Sequence, residues 1–495
     1  MTDPVISFDP NTLSPRADHF IKGRRREGGE GAVPVHRPSD GVEIGRLHDA
    51  GETIVDEAVG AARDAFRTSG WASAHPLDRA AVLHRWAALV EARTEEIARL
   101  ESATSTRPIA DTLGRDVGRA AGAIRFFAES VDKIEGSVIA TAAAANCMVV
   151  PEPYGVVASI TAWNFPLINA VWKSAPALAA GNAVVLKPSE LTPYTAIRIA
   201  ELAVEAGLPA GLFNVVQGLG ATTGSALVRH PDVRKISFTG STGTGARIMA
   251  DAAATGTKPL TLELGGKSPQ LVLKDVRDLS PVALNVANGF LANAGQVCTA
   301  GSRLIVHRSM ADELVSRVQA LAAARTAGPT WQVETTLSPL VSERQAERIE
   351  RMIAATVADG ASIVSGGTRV SGRNAGAYFE PTILANVAET SVGFREEFFG
   401  PVLSVYTYED EDEAIAMANH PLYALAASLY TDDARKALAI PKRLEAGTVW
   451  VNAHGRQPGY AHPQGGFNHS GFGREMGRAG LEGFLRHKTV WLSHG

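Results

Sequence analysis

The sequence predicts an α/β protein built on parallel, doubly wound sheets, and three observations carry that prediction. From Tyr154 onward, short runs of buried-type residues alternate with helical stretches: Gly155-Val156-Val157-Ala158-Ser159-Ile160, Ala183-Val184-Val185-Leu186-Lys187, Phe213-Asn214-Val215-Val216 and Lys235-Ile236-Ser237-Phe238. Such alternation belongs to strands joined by crossover helices and covered on both faces. The 48 glycines recur at segment boundaries, where tight strand-to-helix turns sit. At 495 residues the chain exceeds one simple core, so two or three domains are expected.

Before these strands, apolar residues recur at helical spacing in Val55, Ala58, Ala62 and Phe66, then in Ala81, Leu83, Trp86 and Leu89, which predicts covering helices. Residues 136–150 read as a small-residue strand segment. After Pro269 the alternation resumes with the strand Gln270-Leu271-Val272-Leu273. Ser280-Pro281 predicts a helix start, with Ser as N-cap and Pro at the first helical position, running to about Asn293. A second α/β unit continues to about Asn452. The final strand, Lys488-Thr489-Val490-Trp491-Leu492, has no neighbour in sequence. It and residues 136–150 are read as one excursion that pairs with another subunit, since either edge would be bare in a lone chain.

Composition excludes several functions. A net charge of −4 offers no electrostatic reason for a nucleic-acid or anionic-membrane partner. Arg24-Arg25-Arg26 is followed by Glu27 and Glu30 and reads as a solvated loop. Two cysteines, Cys147 and Cys298, make neither a disulfide framework nor a multi-cysteine zinc site. Met1-Thr2-Asp3-Pro4 lacks the features of a secretory signal, and the apolar stretch 168–186 is broken by Lys173, Pro176 and Gly181-Asn182. A reducing cytoplasm is the expected compartment.

The chemistry is concentrated in two blocks. Leu262-Glu263-Leu264-Gly265-Gly266-Lys267-Ser268-Pro269 sets a carboxylate in a Gly-rich turn, and Cys298 follows 35 positions after Glu263, in Asn293-Ala294-Gly295-Gln296-Val297-Cys298-Thr299-Ala300. A thiol can attack a carbonyl, and a carboxylate can activate the water that later frees the acyl group. Together with Thr161-Ala162-Trp163-Asn164-Phe165-Pro166, Lys187-Pro188-Ser189-Glu190-Leu191-Thr192-Pro193, Phe238-Thr239-Gly240-Ser241-Thr242, Glu396-Glu397-Phe398-Phe399-Gly400-Pro401-Val402, Gly465-Gly466-Phe467 and Ser470-Gly471-Phe472-Gly473-Arg474-Glu475, these blocks resemble the aldehyde dehydrogenase superfamily from about Phe20 to Leu492.

That resemblance implies a Rossmann-like dinucleotide-binding domain (20–130 and 153–265), an α/β catalytic domain (266–468) and a small β oligomerisation element (131–152 and 482–495). It implies Cys298 as nucleophile, Glu263 as general base, and Asn164 with the Cys298 backbone N–H as oxyanion donors. Lys173 and Glu475 resemble proposed proton-relay residues, with a structural salt bridge or cap as the equal reading. The loop Gly240-Ser241-Thr242-Gly243-Thr244-Gly245 follows a strand and opens a helix without the G-x-G-x-x-G spacing. By resemblance Ser241 faces the pyrophosphate, Lys187 and Glu190 the adenosine ribose, and Glu397 and Phe399 the nicotinamide end. Trp163, Ser189, Gly220, Phe238, Gly240, Gly245 and Leu264 complete the implied cofactor set. Glu190 favours NAD over NADP, because a carboxylate accepts from ribose hydroxyls and repels a 2′-phosphate, although Lys187 beside it could pair with that phosphate.

The implied substrate, a small-molecule aldehyde, would lie among Phe165, Asn169, Val297, Thr299, His454 and Phe467. Here the sequence departs from the family pattern. The Glu263–Cys298 interval is one residue longer than expected, with 277–281 as the place for the addition. The loop 453–463 is also one longer and carries His454, Arg456, Gln457 and His462. Asn169 replaces an apolar residue, Asn468 replaces a lysine, and Glu101-Ser102-Ala103-Thr104-Ser105-Thr106-Arg107-Pro108 lacks Gly-Lys-Pro. None of these falls on the nucleophile, base or cofactor residues; they bear on which aldehyde is used. His454, His462 and His469 lack acidic or cysteine partners at ligand spacing and read as solvated loop histidines rather than a metal site. Cys147 reads as structural. The expected activity is hydrolytic NAD-dependent aldehyde oxidation by a dimer or tetramer. A coenzyme A-acylating enzyme and a non-catalytic protein on the same scaffold are the alternatives.

Overall fold

The computed structural model describes residues 6–372, 375–455 and 457–494. Met1 to Pro4, Arg456 in the polar loop and the terminal Gly495 therefore lie outside the described residues.

Five parallel strands form the centre of the first sheet: Val156–Ile160, Ala183–Lys187, Phe213–Val215, Val233–Thr239 and Leu260–Glu263. Taken in chain order as first to fifth, they lie side by side as third, second, first, fourth, fifth. The order reverses between Val156–Ile160 and Val233–Thr239, and open sheets of this kind bind ligands beyond the strand C-termini at that reversal. The first two strands are buried along their whole length, as β-branched runs without alternation require. Between them the helix Pro166–Ala179 is buried at all 14 positions, so even Lys173 must be satisfied within the protein.

Both edges of this sheet are closed by antiparallel strands distant in sequence. His19–Ile21 lies on one side and Gly471–Phe472 on the other, pairing Glu263 with Gly471. Gly471 has φ +104°, and a side chain there would collide with the Leu262 carbonyl. Arg24–Arg26 is a short outer strand paired with His19–Ile21, not a loop. Its arginines meet acidic groups, Arg25 to Glu201 at 2.8 Å and Arg26 to Glu57 at 3.2 Å, and a charged outer strand discourages edge-to-edge association.

The covering helices are Gly51–Thr68, Pro76–Ala92 and Thr94–Thr104. In the second, the buried stripe is Ala80, Leu83, Trp86, Ala87 and Val90. Ala81 is exposed and Leu89 only half-buried, one position out of phase with the expected stripe.

The second sheet has seven strands in the order Ser362–Ser365, Thr382–Ala385, Val402–Tyr408, Arg303–His307, Pro269–Val272, Ala426–Tyr430 and Thr448–Val451, all parallel except the first pair. The helix after Pro269–Val272 spans Leu279–Leu291. Its N-cap is Asp278, whose carboxylate accepts from Ser280 N–H, and not Ser280. Asp278 has extended backbone (φ −106°, ψ 107°) and so holds the boundary position, leaving Ser280-Pro281 inside the first turn.

A third, three-stranded sheet joins Ser137–Ile139, Ala145–Pro153 and Leu485–Ser493. The expected single segment 136–150 is thus two strands. The last strand pairs with Ala145–Pro153 in nine registered positions, which leaves Leu485–Ser493 and Ser137–Ile139 as the two outer strands of the sheet. What the sheet does expose is apolar: Val138, Ile139, Val150, Trp491 and Leu492. Cys147 is buried within it, opposite Trp491. Among the described residues no helix is long and apolar enough to cross a membrane.

Candidate active site

At the reversal point, the strand ending at Ile160 delivers Trp163, Asn164 and Phe165. The strand ending at Thr239 delivers Gly240 and Ser241, and the strand ending at Glu263 delivers that carboxylate and Leu264. From the second sheet come Val297, Cys298, Thr299, Glu397 and Phe399. All line one cavity of about 610 Å³, with Asn169 and Glu475. Lys173 stands behind the wall and reaches it through an ion pair with Glu475.

The Cys298 loop is strongly constrained. After Leu291 the chain passes through three consecutive left-handed residues, Asn293 (φ +50°), Ala294 (φ +52°) and Gly295 (φ +72°). The first two carry strain that surrounding contacts must hold. Asn293 Nδ2 donates to the Asn164 carbonyl at 3.0 Å, and Thr106 Oγ1 donates to Asn293 Oδ1 at 2.8 Å. Gln296 donates to the carbonyls of Asn293 (2.9 Å) and Pro339 (3.1 Å) and accepts from Val341 N–H (2.9 Å). A side chain at Gly295 would strike the Gly400 carbonyl, and one at Gly266 the Cys298 carbonyl. The two sequence blocks therefore touch through bare backbone.

Asn164 Nδ2 donates to Gln296 O at 3.0 Å, which orients its amide beside the Cys298 loop. Its Oδ1 accepts from Asn169 Nδ2 at 3.3 Å, and Asn169 also donates to Ala162 O at 3.2 Å. Asn169, read from sequence as a departure in the substrate pocket, thus also steadies Asn164. Glu263 Oε1 lies over Gly465, where an added Cβ would come within 2.8 Å of it. Lys173 Nζ also donates to Ser237 Oγ at 3.0 Å, so a buried Lys–Glu pair links the helix Pro166–Ala179 to the C-terminal segment.

The same cavity has the character of a dinucleotide site. Ser241 caps the helix Thr242–Ala254 through Thr244 N–H, which presents backbone donors and the positive end of the helix dipole. Gly245 allows that helix to lie on Leu264, whose Cδ2 would be 2.7 Å from an added Cβ. Trp163 and Phe399 meet edge to face at 5.3 Å. Phe399 holds a left-handed conformation (φ +52°), and Gln345 Nε2 donates to its carbonyl at 3.0 Å. Arg348 donates to the carbonyls of Glu397 (2.9 Å) and Phe398 (3.1 Å). Burial pushes the Glu397 carboxyl up to about 7, against the Gly266 N–H at 3.2 Å and the charges of Lys267 and Arg348. Gln345 and Arg348 were missed in the sequence, where they look like ordinary polar positions on an amphipathic helix. Trp172, Tyr423, Trp450 and Gln464 also line the cavity without having been singled out.

Lys187, Ser189, Glu190, Gly220, Phe238 and Gly245 do not line this cavity. Lys187 Nζ is buried, donates to Pro188 O at 2.9 Å and sits 3.6 Å from Glu190, which is one-third exposed. Burial lowers the Lys187 pKa, and Glu190 opposes that shift. Gly220 opens the turn Gly220–Gly224, which Asp49 fixes by accepting from Leu219 N–H (2.9 Å) and Thr223 Oγ1 (2.6 Å). Phe238 packs against Gly240.

Two residues expected at the substrate do not line the cavity. Phe467 is exposed, with the Arg474 guanidinium 4.9 Å from its ring centroid. His454 turns away from solvent instead: it is hydrogen-bonded to Ser428 at 2.9 Å and meets Trp450 edge to face at 5.3 Å. Its imidazole is pushed by burial down to about 4. The reading of a solvated loop histidine therefore fails for His454, because the glycine at 289 leaves room for its ring. Among the described residues no group of three or more His, Cys, Asp or Glu could hold a metal.

A thiol, a carboxylate and an amide line one cavity with a helix-opening turn of the kind that meets a dinucleotide, a combination that belongs to the class of oxidoreductases. Residues 25–490 match the aldehyde dehydrogenase family, and the chain belongs to it. It is 41% identical to betaine aldehyde dehydrogenase of Cereibacter sphaeroides over 482 residues, 97% of this chain and 98% of that one. A crystal structure of indole-3-acetaldehyde dehydrogenase complexed with NAD+ superposes with a TM-score of 0.95 at 39% identity, covering 98% of each chain. The γ-glutamyl-γ-aminobutyraldehyde dehydrogenase of Burkholderia cenocepacia gives 0.94 at 42% identity, again over 98% of each.

Proposed function

We propose that the chain oxidises an aldehyde to a carboxylic acid with NAD, Cys298 acting as nucleophile, Asn164 as oxyanion donor and Glu263 as base. One observation carries this reading: Cys298, Asn164 and Glu263, from three separate elements, line one cavity together with Ser241, Glu397 and Phe399. When bound there, NAD supplies the hydride acceptor. The Cys298 thiolate adds to the carbonyl carbon, and the resulting oxyanion is held by Asn164 Nδ2 and the Cys298 N–H. After oxidation the acyl group remains as a thioester on Cys298. Glu263 then removes a proton from water, which opens that thioester. The Lys173–Glu475 pair supports a proton path out of the cavity.

Measuring NADH formation across short aliphatic, aromatic, amino- and carboxy-aldehydes tests the reading, and adding coenzyme A tests the acylating alternative. Acid release without coenzyme A is expected; turnover that requires coenzyme A would reject the hydrolytic assignment. Glu190→Gln is expected to shift the NAD-to-NADP ratio of kcat/KM toward NADP by about tenfold, because the charge opposing a 2′-phosphate is gone. An unchanged ratio would show that Glu190 does not set cofactor choice.

The assigned units are a nucleotide domain (20–130 and 153–265), a catalytic domain (266–468) and an oligomerisation element (131–152 and 482–495), acting in a reducing cytoplasm that suits a working thiol. The apolar residues exposed on the third sheet support a homodimer or homotetramer. Deleting 488–495 removes most of the strand paired to Ala145–Pro153. It is expected to lower Tm by about 5 °C or more and to shift the oligomer distribution in light scattering. A native chain that stays monomeric at micromolar concentration would reject the assembly.

A further inference from the structure

The segment 101–108, where the sequence departs from the family pattern, is buried at every position. It carries Glu101, Ser102, Thr104, Ser105, Thr106 and Arg107, so these polar groups must find partners within the protein. The helix Thr94–Thr104 ends at Ser105, whose backbone is extended and whose hydroxyl accepts from Arg107 N–H at 3.1 Å. From there the segment reaches several parts of the active site. Glu101 accepts from Leu167 N–H at 3.0 Å and from Thr195 Oγ1 at 2.6 Å, which ties down the start of the helix Pro166–Ala179. The Arg107 guanidinium lies 4.4 Å from the Phe165 ring centroid and is held by Asp116 at 2.8 Å. Thr106 reaches the Cys298 loop, where its hydroxyl donates to Asn293 Oδ1 at 2.8 Å.

That last hydrogen bond decides how the Asn293 amide sits. Asn293 Nδ2 donates to the Asn164 carbonyl, and a carbonyl has no proton to give, so the nitrogen must face Asn164. Oδ1 then faces position 106, where only a donor matches it. Asn164 is thereby fastened to the Cys298 loop twice, its carbonyl by Asn293 Nδ2 and its side chain by the Gln296 carbonyl. All three residues, Thr106, Asn293 and Asn164, are buried, so water is a poor substitute for a lost partner. Without the hydroxyl, Oδ1 is left without its donor, and rotation of the amide would set oxygen against oxygen at Asn164.

We propose that Thr106 is a positioning residue for aldehyde oxidation: its hydroxyl fixes the Asn293 amide, which holds Asn164 and the Cys298 loop in the register the oxyanion requires. This rests on the oxidation reading above and deepens it. Thr106 does not line the cavity, so its action runs through Asn293. Its loss therefore weakens the chemical steps and leaves the binding of aldehyde and NAD in place.

The test compares Thr106→Val, which keeps the shape without the hydroxyl, with Thr106→Ser, which keeps the hydroxyl. With the best substrate of the aldehyde panel, Thr106→Val is expected to lower the NADH burst rate and kcat by about tenfold or more. KM and the Kd for NAD should stay within about twofold, and Thr106→Ser should recover rates within about threefold of native. Asn293→Gly removes the amide while tolerating the left-handed backbone, and adding Thr106→Val to it should cost nothing more. Unchanged rates in Thr106→Val, or losses that multiply in the double variant, would overturn the proposal. If Thr106→Val and Thr106→Ala both fail to fold while Thr106→Ser folds, the hydroxyl serves stability and the proposal falls. Crystal structures of Thr106→Val and Thr106→Ser separate this inference from the oxidation reading. Asn293 Nδ2 leaving the Asn164 carbonyl in the valine variant alone would uphold the positioning role even if no aldehyde is oxidised. An unmoved amide would reject it even if aldehydes are turned over.

Discussion

Cys298→Ala is expected to abolish aldehyde oxidation, by at least about 10⁴-fold in kcat/KM, while NAD binds with an affinity within about twofold of the native value. Cys298 sits on a loop from the second sheet, whereas the turn at Gly240–Ser241 belongs to the first, and the loop's shape comes from elsewhere. Asn293, Gln296 and the bare backbone of Gly295 hold it through the Asn164, Pro339 and Gly400 segments. Removing the sulfur leaves those contacts in place. NADH production followed spectrophotometrically and NAD binding by calorimetry give the two readouts. Substantial turnover by the alanine variant would reject Cys298 as nucleophile.

Glu263→Gln is expected to produce a different defect. Acylation of Cys298 does not need a base for water, so rapid mixing should show a burst of about one NADH per active site. Steady-state turnover should then fall by about 10² to 10³-fold, because the thioester persists. The isosteric amide keeps the packing against Gly465 and the pairing of the Glu263 backbone with Gly471. Loss of burst and steady state together would show that Glu263 acts earlier, for example on the thiol itself.

The parallel strands were legible in the sequence because burial on both faces leaves continuous apolar runs, bounded by glycine turns, and needs no knowledge of partners. The chemical types of the site were legible for a similar reason. A thiol in a small-residue loop and a carboxylate in a Gly-Gly turn are local patterns, and together with the surrounding motifs they pointed to the reaction class. The helix start near Ser280 was misplaced by two residues because Ser-Pro and Asp are both good boundary residues, and only the backbone conformation of Asp278 decides between them. The stripe of Pro76–Ala92 was out of phase at Ala81 because small residues carry little periodic signal.

What only the tertiary structure decided concerns partners far apart in the chain. His454 is turned inward by a hydrogen bond to Ser428 and the bare surface of Gly289. Asn169 steadies Asn164, and Gln345 and Arg348 hold the strained turn at Phe399. The loop that carries Tyr460 lies on the helix Val117–Ser130 because Tyr460 fits over Gly122, more than three hundred positions earlier in the chain. A sequence states which groups are available and how they repeat locally. Which of them converge is set by the packing of whole sheets and helices, where a missing Cβ or a single accepting carbonyl fixes a close approach that no local pattern records.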